Sequence, residues 1–272
     1  SVLYWVRAFV SNLLADSGPS WVDMFSRYNS GTYNNQWMVV DTKLLPEAFQ
    51  DAANAWPLLR PHSLTVTELL PGHVHTEDMT NFLQTNGYWM SFNRPFFPEI
   101  FEVSGQPALV KKYGDHFSWE RTARSQIFRR LMPSVKDHVS YQRVMRYNNY
   151  SLDPVGMQGC NIGPSASNAI AERGDLTATG ADCIPDIQHQ DEAQIDVKYT
   201  TSSLMQLGLF GAVAQSGPTY DSQPPFRWSS SPFANCSHRG QPDLWQFPWI
   251  NVTWQYATSL RNGPVDNMLI AV

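Results

Sequence analysis

The apolar residues of this chain change period along its length, and that change limits the folds open to it. Val2, Trp5, Val6, Phe9, Val10, Leu13 and Leu14 recur at helical spacing, and Asp16-Ser17-Gly18-Pro19 stops the run. Ser20 can cap a second short helix through Phe25, ending at Asn29-Ser30-Gly31. From there the period shortens. Trp37-Met38-Val39-Val40 reads as a buried strand. "SLTVTELL" sets Leu64, Val66 and Glu68 against Thr65, Thr67 and Leu69, the alternation of a second strand. "PGHVH" turns into another, and "GYWMSFN" reads as a strand that Pro95 ends. Residues 46–61 between them form a proline-bounded segment with a single helical turn.

The second half is less periodic. "PEIFEVSG" and "QPALVKKYG" read as short helices, and "TARSQIFRRLM" is mixed. Ser134 with Asp137 resembles a capping box for a helix to about Tyr147. Residues 151–190 form a long Pro/Gly/Ser/Asn-rich excursion, and "AQIDVKYTTSSLMQLGLFGAVAQSG" passes from strand-like to helix-like. The stretch "PPFRWSSSPFANCSHRGQPDLWQFPW" is loop with spaced aromatic anchors, and residues 255–272 show no strong pattern. No internal repeat and no clean linker divides the chain. The expectation is one α+β domain, helices packed on antiparallel strands.

Charge and composition narrow the function. Charged residues make up 16% and the formal net charge is −5. With no basic run, this argues against a nucleic-acid binder. No apolar run reaches the roughly 18 residues of a membrane span. Ten tryptophans, eleven tyrosines and fourteen phenylalanines suffice for a large core or an aromatic-lined cleft. Residue 1 opens directly into helix-like sequence, the expectation for a mature, processed or truncated chain. Three sequons, at Asn149, Asn235 and Asn251, point to the secretory pathway. Of three cysteines, Cys160 and Cys183 flank a Gly/Pro/Ser/Asn-rich loop within the 151–190 excursion and can pair; Cys236 is then free or bonded to another chain.

Common catalytic signatures, among them G-x-S-x-G, the P-loop, H-E-x-x-H and C-x-x-C, are absent. His73 and His75 share one strand face near Glu77 and Asp78, but an exposed polar turn is the plainer reading than a metal site. A solvated polar loop likewise suits His189. Asp115-His116 makes a poor dyad if it lies on a strand, where neighbours point apart. Arg124 precedes an apolar pair and can bond a carboxylate or orient a nucleophile; Arg129-Arg130 reads as a solvated face. "SGTYNNQW" is the densest polar cluster, with amides suited to oxyanion donation, yet composition alone favours a turn satisfied by Asx hydrogen bonds. Asn93, inside "WMSFNRPFF", is an amide among apolar residues that requires hydrogen-bond partners.

The motifs "NSGTYNNQWMVVD", "FEVSGQPALVKKYGDHFSW", "ARSQIFRR", "MRYNNYSLDP", "IDVKYTTSSLM", "SGPTYDSQPPFRWSSSPF" and "GQPDLWQF" occur in this order. Together they resemble the phospholipase B-like family from residue 1 to about Trp254, leaving 255–272 as an unmatched tail. The resemblance implies a four-layer αββα N-terminal nucleophile hydrolase sandwich. This chain would be the C-terminal part of that single domain (1–254). It also implies lysosomal or secreted glycoproteins, no cofactor and no metal. The nucleophile would be an N-terminal cysteine, with its own α-amine as base, on a segment outside this chain. Ser1 matches the start of a family helix and is not expected to be that nucleophile.

By resemblance, Asn93 matches an oxyanion-hole asparagine, and Arg124 an arginine near the nucleophile in related acylases. Asn34, Asn35 and Trp37 match a family hallmark with pocket-wall or structural roles. The Cys160–Cys183 pair fits the family's cysteine-bearing loop, whereas an insertion after His189 departs from the family pattern. The substrate would be a lipid or an acyl amide. The rival expectation is a catalytically silent glycoprotein of the same fold, used for binding or assembly.

Overall fold

The computed structural model describes residues 1–45, 58–201, 204–205, 211–252 and 270–271. The fold is mixed α+β with several small antiparallel sheets. It divides into two compact units, one comprising residues 1–107 and 257–272, the other 108–256.

The first unit is built on a four-stranded sheet. Its strands are Gln36–Val40 (β1), Leu64–Leu70 (β2), His73–Asp78 (β3) and Ile270–Ala271 (β11), in the order β11-β1-β2-β3. The expected alternation of β2 is present, but nearly all of it is buried because both faces are covered. Tyr4–Leu14 (α1) and Gly18–Ser26 (α2) accompany one core, where Trp21, Val22 and Phe25 meet Val39 and Leu69, with Ala8 and Trp37 at its margin. Thr80–Asn86 (α3) and Pro98–Val103 (α4) accompany the other, where Leu64 and Val66 meet Met79, Phe97 and Ile100. Each of these side chains adds about 1.5–3 kcal/mol by leaving water.

Three local expectations in this unit are corrected. Helix α2 is capped by Ser17, which forms a reciprocal capping box with Ser20, so Ser20 is a partner inside the helix. Residues 88–97 form no strand: the chain bends at Asn93, whose φ is +56°. The apolar stripe of α1 faces outward. Trp5, Phe9, Leu13 and Leu14 are 59–67% exposed, while Arg7 and Ser11 are buried. Arg7 tolerates burial because its guanidinium donates to Val2 O, Phe25 O and Asn29 Oδ1 and lies over the Phe25 ring. Residues 46–57, read from sequence as a proline-bounded turn, lie outside the described residues.

The chain enters the second unit within Gln106–Tyr113 (α5) and continues through Ala123–Leu131 (α6) and His138–Met145 (α7). The cap of α7 is Asp137 with Ser140, not Ser134. Short strands follow. Cys160–Ile162 (β4) pairs with Asp182–Cys183 (β5), and the two cysteines are disulfide-bonded. Asp196–Tyr199 (β6), Ala212–Ser216 (β7) and Ile250–Val252 (β10) form a three-stranded sheet, so 212–216 is strand where the sequence reads helix-like. Phe226–Arg227 (β8) pairs with Leu244–Trp245 (β9).

Buried polar side chains hold the irregular segments of this unit where ladders are short. Arg173 grips Asp175 with two bonds of 2.7 and 2.8 Å and donates to the carbonyls of Thr219 and Pro224. Arg146 donates to Gly217 O and Pro218 O. Asn148 Nδ2 bridges the carbonyls of Ala166 and Ala171 at 3.0 and 2.7 Å. Arg130, exposed as the sequence suggested, also pairs with the buried carboxylate of Asp153, which Tyr147 bonds at 2.6 Å.

Candidate active-site pocket

A cavity of about 340 Å³ opens in the first unit at the end of β1 and β2 where the bent 88–97 segment crosses them. Asn34, Asn35, Glu68, Ser91, Asn93 and Arg94 are among its lining residues. It thus brings together two separate sequence features, the "TYNNQ" cluster and the "WMSFNRPFF" segment.

Asn34 is oriented by a chain that starts at Arg7. Arg7 donates to Asn29 Oδ1 at 3.3 Å, and Asn29 Nδ2 donates to Asn34 Oδ1 at 2.7 Å. With its oxygen committed, Asn34 presents its N–H₂ as the donor face. Asn35 Oδ1 accepts from the next amide, Gln36 N, at 2.9 Å, and the Asx turn the sequence suggested lies at Asn29, whose Oδ1 accepts from Gly31 N at 2.9 Å. Asn93 is exposed and left-handed, a conformation that asparagine tolerates better than other side chains with a Cβ. Tyr33, also on the cavity wall, has φ +51° and stacks on Tyr4 at 4.6 Å. Trp37 packs at the margin of the core against Phe25 and Trp21, at ring distances of 4.5 and 5.6 Å.

The residue that sequence reasoning passed over is Glu68. It sits among Leu64 and Val66 on the same strand face and is 2% exposed. Gln36 Nε2, Phe96 N and Phe97 N donate to it at 2.6, 2.7 and 3.0 Å. Burial pushes its carboxyl above the usual glutamate range, against the Phe96 and Phe97 amides, Gln36 and the nearby His75. The available signal was a carboxylate in the apolar phase of "LTVTELL". His75 faces Glu68 across the strands, 2.8 Å from Glu77 and 3.0 Å from Glu99. The Glu77 bond raises its imidazole pKa; burial opposes this and Glu99 adds to it. Among the described residues, no group of three or more His, Cys, Asp or Glu could hold a metal ion.

In the second unit, Arg124 lies on α6, partly buried. Burial lowers its pKa, against the fields of Glu172 and Asp186. Asp115 and His116 lie on a short 3₁₀ turn and do not form a dyad: His116 bonds Asp186 at 2.8 Å and Asp115 pairs with Arg121 at 2.9 Å. His189 lies half-buried in the loop where the sequence placed it. Its Nδ1 lies 2.6 Å from Thr177 O, and its ring stacks on Phe233. Asn235 and Asn251 are exposed and Asn149 is half-buried; Cys236 is free and exposed.

A family model described as Phospholipase B matches residues 1–252. This chain belongs to the phospholipase B-like family. It is 45% identical over 255 residues to human phospholipase B-like 2, covering 93% of this chain and 42% of that protein. Phospholipase B-like protein B of Dictyostelium discoideum is 41% identical over 256 residues, 93% of this chain and 41% of its own length. Phospholipase B-like 3 of Caenorhabditis elegans is 36% identical over 267 residues, with 97% and 44% covered. The phospholipase B-like region described here therefore spans less than half the length of these relatives. No helix among the described residues is long and apolar enough to cross a membrane.

Proposed function

We propose that this chain supplies the oxyanion-stabilising pocket of an acyl hydrolase with the αββα N-terminal nucleophile architecture. The nucleophilic cysteine comes from polypeptide outside these 272 residues. Its thiol attacks the acyl carbon of an ester or amide while its α-amine takes the thiol proton and passes it to the departing alcohol or amine; water then hydrolyses the thioester, freeing the acid and the cysteine. Asn93 stabilises the tetrahedral oxyanion, with Asn34 and Asn35 in the pocket wall. Arg124 is assigned near the nucleophile on the resemblance alone. The substrate is a phospholipid or an acyl amide.

The observation that carries this reading is the convergence of Asn34 and Asn93, from distant parts of a phospholipase B-like sequence, on one cavity. Its volume suits a small ligand. The outward apolar face of α1 supports the second part of the reading, since Trp5, Phe9, Leu13 and Leu14 form a stripe suited to packing against further polypeptide. The disulfide and the exposed Asn235 and Asn251 agree with a lysosomal or secreted glycoprotein.

The test uses the complete protein with a thiol-reactive acyl probe, read by mass spectrometry. The expected result is a labelled N-terminal cysteine. No label, with no turnover of ester or amide substrates, would leave the silent glycoprotein as the correct reading. Asn93→Gly removes the amide while allowing the left-handed backbone, and should lower kcat by about 10²–10³.

A further inference from the structure

Asn93 sits in a loop whose two ends are tied to one cross-strand pair. On the C-terminal side, Phe96 N donates to Glu68 Oε1 at 2.7 Å and Phe97 N donates to Glu68 Oε2 at 3.0 Å. On the N-terminal side, Trp89 Nε1 donates to Gln36 Oε1 at 3.0 Å. Gln36 Nε2 closes the circuit by donating to Glu68 Oε1 at 2.6 Å. Gln36 and Glu68 are directly opposed in the β1–β2 ladder.

The chemistry of the pair is specific. Glu68 occupies a position in phase with Leu64 and Val66, where an apolar side chain would suit the core better. Its three donors are two backbone amides of the loop and the one side chain that also holds the loop's other end. A carboxylate offers a separate acceptor oxygen to each of the two adjacent amides, whereas a glutamine would turn an N–H₂ toward one of them. The left-handed turn at Asn93 (φ +56°) falls between these anchors, the setting in which an unfavourable backbone is held by its surroundings.

We propose that Glu68, oriented by Gln36, is a positioning residue that fixes the 89–97 loop and sets the Asn93 side chain in the pocket. Its catalytic meaning rests on the reading of Asn93 as an oxyanion donor; its structural content does not. Two measurements on the complete protein separate these. Glu68→Gln preserves volume but turns one acceptor into a donor facing N–H groups. Amide hydrogen exchange at Phe96 and Phe97 should then accelerate about 10- to 100-fold, the scale of hydrogen bonds to a charged acceptor. Exchange at Val39 and Val66 in the ladder should hold. Gln36→Leu leaves the carboxylate and should loosen the loop less; it carries the exchange test if Glu68→Gln does not fold. Unchanged exchange at Phe96 and Phe97 overturns the proposal.

Turnover supplies the second measurement. Glu68→Gln should lower kcat about 10-fold or more with KM within about twofold. Added to Asn93→Gly it should cost nothing further, because no amide is left to position. Independent, multiplying losses overturn the positioning role, as does a lower Tm with unchanged kcat per folded molecule. If Asn93→Gly itself leaves turnover intact, the oxyanion reading fails, and the exchange result still decides whether Glu68 fixes the loop.

Discussion

At the scale of single residues, the backbone at Asn93 decides how its chemistry should be tested. Its left-handed φ makes Asn93→Ala a poor probe, because a Cβ without the amide's local bonding costs about 1 kcal/mol there. Urea unfolding should show Asn93→Ala less stable than Asn93→Gly by about that amount, with both equally poor in kcat. Equal stabilities would mean that the left-handed turn is absent in solution. Arg173 poses a different question. Its guanidinium, 1% exposed, makes a two-pronged bond to Asp175 and two carbonyl bonds to the 219–224 segment. A lysine carries the charge without the fork. Arg173→Lys should therefore lose about 1–3 kcal/mol, the cost of leaving buried carbonyl acceptors unpaired, in the same unfolding experiment. A loss under about 1 kcal/mol would show that the charge alone suffices without the fork.

At the scale of elements, α2 approaches β2 closely because residue 18 has no side chain. A Cβ there would lie 2.4 Å from Thr65 Oγ1 and 2.9 Å from Thr65 Cβ. Gly18→Ala should destabilise by about 1–3 kcal/mol through overpacking, although alanine is the better helix former. Pairing it with Thr65→Ser, which removes one methyl but keeps the hydroxyl, should recover little, whereas Thr65→Ala, which removes the nearest atom but keeps the Cβ at 2.9 Å, should recover part of the loss. Full recovery by serine would place the clash at the methyl group instead. The helix ends were legible in outline because proline, glycine and serine mark them. The exact caps were not. Ser17 and Asp137 each win the cap by reaching the amide of a serine three residues on, which composition alone does not distinguish from Ser20 or Ser134.

At the scale of the whole molecule, the shifted groups predict a stability maximum on the acid side of neutrality. Burial raises the carboxyls of Glu68 and Glu172. A raised carboxyl favours the fold while protonated, and that contribution is lost as pH rises through its folded value. His75, raised mainly by Glu77, contributes fully below its unfolded pKa of about 6.5 and loses this as pH climbs through the folded value. Asp78 and Asp153 act oppositely. Burial would raise each, but is outweighed at Asp78 by the bonds of Thr80 and His62, and at Asp153 by Tyr147, Val155 and Arg130. Their stabilisation is present above about pH 4 and lost as pH falls through their lowered values. Tm should thus be higher at pH 5 than at pH 7.5, and Glu68→Gln should narrow the gap. A Tm that rises from pH 5 to 7.5 would contradict this balance.

Legible in the residues alone were the α+β class, most of the short helices, the first three strands and, through the ordered motifs, the phospholipase B-like family. These follow from local period and punctuation, which operate over a few residues. Tertiary structure alone decided that α1 buries Arg7 instead of its apolar stripe, because distant carbonyls were needed to satisfy the guanidinium. It likewise decided that "GYWMSFN" bends instead of extending. Trp89 and the Phe96 and Phe97 amides that follow the segment find their partners on Gln36 and Glu68, 53 and 28–29 residues away along the chain, and no local pattern can express a bond across that distance.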